Sequence, residues 1–280
     1  MTTEKRHRWV SYLLFLFMLI PALIALFPLG ALILASLKPS TELMRFGLNL
    51  YPQFELWSLD NYTYLFTEGS IYFHWFKNSL IITFFSTFLA LFFSSMVGYS
   101  LAMYSFRGQN IVLLLVLLVM MIPFEILMLP LFNMMIALNT VNTYAGVILP
   151  MLVHPLAVFF FRQFALGLPK ELMDAARIDG CSEYGIFFKI MVPLMTPAYG
   201  AMAILLALFS WNNFLWPLVV LRTSDMFTLP IGLAGLLSPY GNNYDVLISG
   251  SVLTVIPIII VFLFFQRYFI SGLTVGGVKG

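Results

Sequence analysis

The feature that most limits what this chain can become is the length of its uncharged runs. Residues 9–37, 78–106, 190–221 and 246–266 contain no Asp, Glu, Lys or Arg, and residues 108–161 contain only Glu125. A bilayer core about 30 Å thick takes roughly 20 helical residues to cross. Four of these runs suit one crossing each. The fifth has room for two, joined by the polar turn Leu138-Asn139-Thr140-Val141-Asn142-Thr143. With 61% hydrophobic and 9% charged residues, the 280-residue chain also has more apolar surface than a soluble domain of its size could hide. The sequence therefore predicts an all-α polytopic membrane protein. It places six transmembrane helices at about 10–36, 78–104, 111–137, 143–163, 196–221 and 246–267, in one domain over 1–280.

The first run follows Glu4-Lys5-Arg6-His7-Arg8 and is roughly twice the length of a signal-peptide core, with no convincing small-residue cleavage site before Lys38. It reads as an uncleaved signal anchor. Orientation follows from Lys and Arg near the span ends. With the amino terminus inside, Lys5, Arg6, Arg8, Arg107, Arg162, Lys170, Arg177, Lys189, Arg267 and Lys279 are cytoplasmic, against Lys38, Arg45, Lys77 and Arg222 outside. Both termini are then cytoplasmic. The single cysteine, Cys181, excludes a disulfide within the chain.

Three spans carry more than hydropathy. In the second, Ala90, Ser94, Gly98 and Ala102 recur every four residues, a small-residue face for close helix packing within this chain or against another. In the third, Pro123 and Pro130 bracket Glu125. Each proline removes a backbone donor, and a mid-membrane carboxylate costs about 2.5–3.5 kcal/mol on insertion scales. A broken helix with a buried acid predicts a pathway wall, to which Asn133 also belongs. In the fifth, Trp211, Asn212 and Asn213 lie near the centre of the run. Amides beside aromatic rings suit a sugar, whose hydroxyls hydrogen-bond while its apolar faces stack; interhelical hydrogen bonding explains the amides equally well. The outer segments 38–77 and 222–245 are aromatic-rich and read as connectors or a docking surface.

Residues 169–194 depart from all of this. They hold seven of the chain's 26 formal charges. Pro169 followed by Lys170-Glu171-Leu172-Met173-Asp174-Ala175-Ala176-Arg177-Ile178 predicts a helix, Asp179-Gly180 its stop, and Ser182 the cap of a second helix leading to Pro193 and Pro197. Between Arg162 and Lys189 four acids balance four bases, whereas a lipid-binding helix has a strongly basic face. The balance favours a protein partner over the lipid surface.

This segment resembles the cytoplasmic signature of importer permeases of the ATP-binding-cassette class, E-A-A-x-x-x-G and, after nine intervening residues, I-x-L-P. Here it reads Asp174-Ala175-Ala176-Arg177-Ile178-Asp179-Gly180, then Ile190-Met191-Val192-Pro193, with Asp174 in place of glutamate and Val192 in place of leucine. Further stretches, among them 58–66, 211–218 and 264–280, resemble the carbohydrate-transporting branch, the half similar to the shorter maltose permease subunit and to multi-sugar or arabino-oligosaccharide types. The resemblance implies a bacterial cytoplasmic-membrane subunit paired with a second permease, two cytoplasmic ATPases that bind ATP and Mg, and an extracytoplasmic sugar-binding protein. It implies a coupling loop over 164–195, with Glu171, Asp174, Ala175, Ala176, Arg177, Asp179, Gly180, Ile190 and Pro193 at the ATPase contact, and a role there for the tail 276–280.

No G-x-x-x-x-G-K-S/T loop occurs, so a chain working by ATP needs a partner to supply that site. The chain itself is expected to bind no cofactor, metal or nucleic acid and to catalyse no reaction. His7, His74 and His154 are scattered, without metal-ligand spacing, and read as packing or interfacial. The competing reading is a self-sufficient secondary transporter or channel subunit for a small polar solute.

Overall fold

The computed structural model describes residues 3–44, 51, 53–67, 71–238 and 241–274. The tail 276–280 lies outside the described residues, as do Arg45 and Lys279. The described chain is helical apart from a short antiparallel ladder, Leu237–Ser238 against Gly241–Asn242. In chain order its principal helices are α1 (Thr3–Ser36), α2 (Tyr72–Met103), α3 (Gln109–Met121), α4 (Phe124–Ala137), α5 (Tyr144–Met151), α6 (Pro155–Leu166), α7 (Glu171–Ile178), α8 (Glu183–Leu194), α9 (Thr196–Trp211), α10 (Leu215–Val220), α11 (Leu229–Gly235) and α12 (Tyr244–Thr274).

Among the described residues three helices are long and apolar enough to cross a membrane in one piece, at Ser11–Ser36, Tyr72–Met103 and Tyr244–Tyr268, and the spans number up to six if each of three bent pairs is one. The bends lie between α3 and α4 (107°), α5 and α6 (42°), and α8 and α9 (77°). Each has a proline at the start of its second helix. Pro123, Pro155 and Pro197 fit a first turn, where no N–H is required, and the first two crowd the residue before them out of the helical region. Ile122 and His154 are accordingly extended. Two details differ from the sequence reading. Pro130 sits inside α4 without interrupting it, so Pro123 alone breaks the third run. The stretch 196–221 is not one helix: it stops after Trp211 and resumes as α10.

The chain divides into two compact units, 1–72 with 233–255 and 73–232 with 256–280. In the first, the end of α1 is tied down by the Ser36 and Tyr62 hydroxyls at 2.5 Å and by Asn61 Nδ2 donating to the Ser36 and Lys38 carbonyls. The Asp245 carboxylate accepts from Ser40 N and Oγ at 2.7 and 2.9 Å. Residues 11–28 of α1 are exposed throughout, so this helix offers its apolar surface to its surroundings.

In the second unit the small-residue face of α2 packs against α6 of the same chain. Ala90, Ser94, Gly98 and Ala102 are all buried, and a Cβ on Gly98 would lie 2.6 Å from the Val158 carbonyl oxygen and 2.9 Å from Arg162 N. Only glycine permits that approach. Ser94 Oγ accepts from His154 N at 2.9 Å, satisfying a donor at the start of α6. One core continues from this interface to Met173 and Ala176 of α7 and Ile186, Phe187 and Met191 of α8. At the opposite end of α2, Asn78 Nδ2 donates to the Asp225 and Phe227 carbonyls, and Trp75 Nε1 to Ser224 O, holding the connector that leads into α11.

Candidate functional site

The charged segment forms two helices around a closed turn. Helix α7 carries Glu171 and Asp174 in its first turn and Arg177 in its last, the arrangement that complements the helix dipole. Gly180 has φ +79°; its N–H donates to Arg177 O at 3.0 Å and Cys181 N–H to Ala176 O at 2.9 Å. That pair of bonds is a Schellman motif, and the positive φ is why glycine stands there. Ser182 Oγ then accepts from Gly185 N at 3.2 Å and caps α8, a contact worth about 0.5–2 kcal/mol. Within α8, residues Phe187–Met191 wind as a π-helix just before Pro193.

The faces of α7 are sharply divided. Met173 and Ala176 are buried in the chain's own core, whereas Leu172, Ala175 and Ile178 point outward, Ile178 with 87% of its surface exposed. Ala176, which the signature resemblance places at the ATPase contact, has a small side chain that lets α7 sit down on this protein's own core. Glu171, Asp174, Asp179 and Pro193 are exposed, and Ile190 is half-buried.

Arg177 is engaged within the segment. Its Nε donates to Glu183 Oε1 at 2.7 Å, Nη2 to Glu183 Oε2 at 3.2 Å and Nη1 to Asp174 Oδ1 at 2.9 Å. Tyr104, just beyond α2, donates its hydroxyl to Glu183 Oε2 at 2.5 Å. These bonds favour the charged forms: Arg177, then Tyr104, hold the Glu183 carboxyl below its ordinary range, and Glu183 raises Arg177. The sequence reading missed Glu183 and Tyr104. An arginine and a glutamate either side of an Asp-Gly stop was the available signal for the first; nothing local signalled Tyr104.

Within the membrane-spanning region, a cavity of about 210 Å³ opens where α9 stops. Its polar lining is Ser86 of α2, His154 before α6, and Ser210 and Asn213 at the α9 break, with Phe124 and Phe209 supplying aromatic walls. The His154 ring stacks on Phe209 at 5.9 Å, and its Nδ1 is buried without a hydrogen-bond partner. Of the five path candidates only Asn213 lines this space. Glu125 and Asn133 are exposed on α4, and Asn212 is exposed and donates to Leu208 O at 3.0 Å. Trp211 is buried, meets Phe76 edge-on at 6.0 Å and lines a separate, almost wholly apolar groove with Thr83, Phe84 and Pro257. His154, read from the sequence as packing or interfacial, stands on the cavity wall beside the amide.

Residues 90–275 match the family described as binding-protein-dependent transport system inner membrane component. The chain belongs to this family. The permease is 64% identical to the arabinooligosaccharides transport system permease protein AraQ of Bacillus subtilis, over 95% of this chain and 94% of that one. It is 66% identical to the protein of the same name from Halalkalibacterium halodurans, over 99% of both. The lactose transport system permease protein LacG of Rhizobium radiobacter is 32% identical over the full length of both chains. Among solved structures, a chain of a bacterial ABC transporter involved in the import of the acidic polysaccharide alginate shares the fold, with a TM-score of 0.79 at 21% identity over 96% of the permease and 99% of that chain. The protein is thus a membrane permease component of a binding-protein-dependent transport system. That assignment replaces the self-sufficient transporter or channel.

Proposed function

We propose that this permease carries arabinose-containing oligosaccharides inward across a bacterial cytoplasmic membrane, as one half of a two-permease pathway driven by ATP. The carrying observation is the 64% and 66% identity, over nearly the whole of each chain, to two permeases named for arabino-oligosaccharides. In this reading the single permease domain over 1–280 crosses six times with both termini inside. The outer segments receive a sugar-loaded binding protein. Two cytoplasmic ATPase subunits bind ATP and Mg, and one of them takes α7 and its turn into a surface cleft.

The exposed Leu172, Ala175 and Ile178 supply the apolar contact to that ATPase, with Glu171, Asp174 and Asp179 at its rim. Gly180 fixes the angle at which α8 follows, and Ile190 and Pro193 pass the movement on to α9. Closure of the ATPases pushes this lever and turns the pathway outward; hydrolysis returns it inward. The cavity beside Asn213 serves as a sugar subsite. It is smaller than the roughly 300–1,000 Å³ of pockets that enclose drug-sized ligands, and so suits one ring of a longer sugar. Ser86, His154, Ser210 and Asn213 offer its hydroxyls both donors and acceptors, and Phe209 and Phe124 offer apolar faces.

Reconstitution tests this directly. Proteoliposomes with the permease pair, ATPases and binding protein are expected to accumulate labelled arabinotriose only with ATP inside the compartment holding the ATPases. Uptake by this chain alone, without ATP, would contradict the proposal.

A further inference from the structure

We infer that Glu183 is a positioning residue that locks the α7 lever to the cytoplasmic end of α2, so that movement of α7 is delivered to α2 through Tyr104 as well as along the chain to α9. The inference rests on the coupling role proposed above for α7.

The contacts form a closed circuit. Arg177 spans the turn between α7 and α8 by gripping both oxygens of Glu183, a fork geometry that fixes orientation as well as distance. Glu183 Oε2 also receives the Tyr104 hydroxyl at 2.5 Å, so one carboxylate takes three donors from two sides. Tyr104 lies one residue beyond α2, and its hydroxyl is 3.3 Å from that of Tyr99 in the last two turns of α2. The Tyr99 ring packs at 5.1 Å from Phe187 of α8, and its hydroxyl points at the Met173 sulfur on the buried face of α7, 3.7 Å away. The circuit therefore runs from α7 through Arg177, Glu183, Tyr104 and Tyr99 back to α7 through Met173.

The shared apolar core holds α7 against α8 by non-directional contact, and the circuit adds oriented polar bonds across the turn at Gly180 and on to the end of α2. With it, α7, α8 and the end of α2 move as one body. Helix α2 also carries Ser86 of the cavity wall. Delivering the stroke to α2 thus links the lever to two sides of the cavity, α2 and the α9 break.

A single exposed ion pair contributes little to stability, so its function is to be sought in coupling, where bond geometry matters more than strength. The experiment uses the complete importer in proteoliposomes, with arabinotriose as probe and the ratio of ATP hydrolysed to sugar accumulated as readout. Tyr104→Phe removes one hydroxyl from a ring that keeps its packing, and Glu183→Gln keeps shape while losing charge. Both are expected to assemble, to keep a wild-type melting temperature within a few degrees and to retain ATPase activity. The ATP-to-sugar ratio is expected to rise by roughly fivefold or more, the lower range of typical coupling between sites. The double variant is expected to be no worse than the poorer single one, because both act on the same link.

Tyr104→Phe with an unchanged ratio overturns the inference, as does a double variant whose defects simply multiply. Should Glu183→Gln fail to assemble, Tyr104→Phe alone decides. If wild-type transporter takes up no sugar with ATP, the importer reading itself fails and this inference falls with it. An unchanged Tyr104→Phe ratio beside ATP-driven wild-type uptake removes only the circuit.

Discussion

The turn of the proposed coupling segment and the cavity beside Asn213 both sit at a break between helices, yet the two breaks are held by different means. At Asp179–Ser182 the polar restraints among the described residues are local or come from Tyr104 on a neighbouring helix end: the Schellman bonds, the Ser182 cap and the Arg177–Glu183 fork. At Asn212–Phe214 the helix stops beside an open space whose walls come from α2, α4, α5, α9, α10 and the residue before α6. The first break is closed on itself and suits the transmission of force. The second is open, lined by hydroxyl, imidazole and amide groups with room for an added molecule, and suits recognition.

The most severe test of that contrast is Gly180→Pro. Proline fixes φ near −65°, against +79° at Gly180, and also removes the N–H that bonds to Arg177 O. The turn must reorganise, and α7 is expected to lose its angle to α8. ATP-driven uptake should vanish while the protein remains in the membrane at wild-type level, as read by transport assay and quantitative membrane immunoblot. Gly180→Ala is milder. Its Cβ would meet no atom within 4 Å, so the cost is conformational alone, about 1–2 kcal/mol. ATP-stimulated import by the proline variant would show that the turn is a connector and that the lever lies elsewhere.

The next test sets Asn213 against Glu125. Losing one neutral hydrogen bond to substrate costs about 0.5–1.5 kcal/mol, so Asn213→Ala should raise the apparent KM for arabinotriose by roughly two- to thirteenfold with assembly intact. Glu125 lies on α4 outside the cavity lining, and Glu125→Gln keeps its side chain's size and an acceptor oxygen, so uptake should change by less than about twofold. The reverse order would place the pathway wall along α4 and make the cavity a packing void.

That reversal of emphasis shows what the sequence carried. The Gly180 stop, the Ser182 cap and the break at Pro123 were legible because they act over one to four residues, within the reach of backbone rules. The small-residue face of α2 was legible as a packing surface by its spacing, but its partner, α6, was not. Trp211, Asn212 and Asn213 are adjacent in sequence and were read together; at a helix end successive residues point in different directions, and each meets a different environment. Conversely, Ser86, His154 and Asn213 are far apart in sequence and share one cavity. Only packing joins them. Arg177 and Ala176 were read as docking residues from a signature motif, and the structure assigns the first an intramolecular brace and the second a buried face.

The smallest effect isolates the brace by pH. Glu183 is held below its ordinary range by Arg177 and secondarily by Tyr104, so its bonds stabilise the ionised carboxylate in the folded protein. An acid depressed in this way contributes stability that is complete above its ordinary pKa of 4.5 and is lost as pH falls through the lower folded value. The sign is opposite to that of a base with a raised pKa, and Arg177 stays charged throughout this range. Melting curves of the assembled transporter should therefore separate wild type from Glu183→Gln slightly at neutral pH and converge below pH 4.5, with Tyr104→Phe showing a narrower separation of the same shape. Because the group lies at the surface, raised salt should shrink the separation at neutral pH as well. A separation that persists in acid and in salt would trace it to packing around α8, and the coupling turn would then resemble the cavity in being held by shape more than by charge.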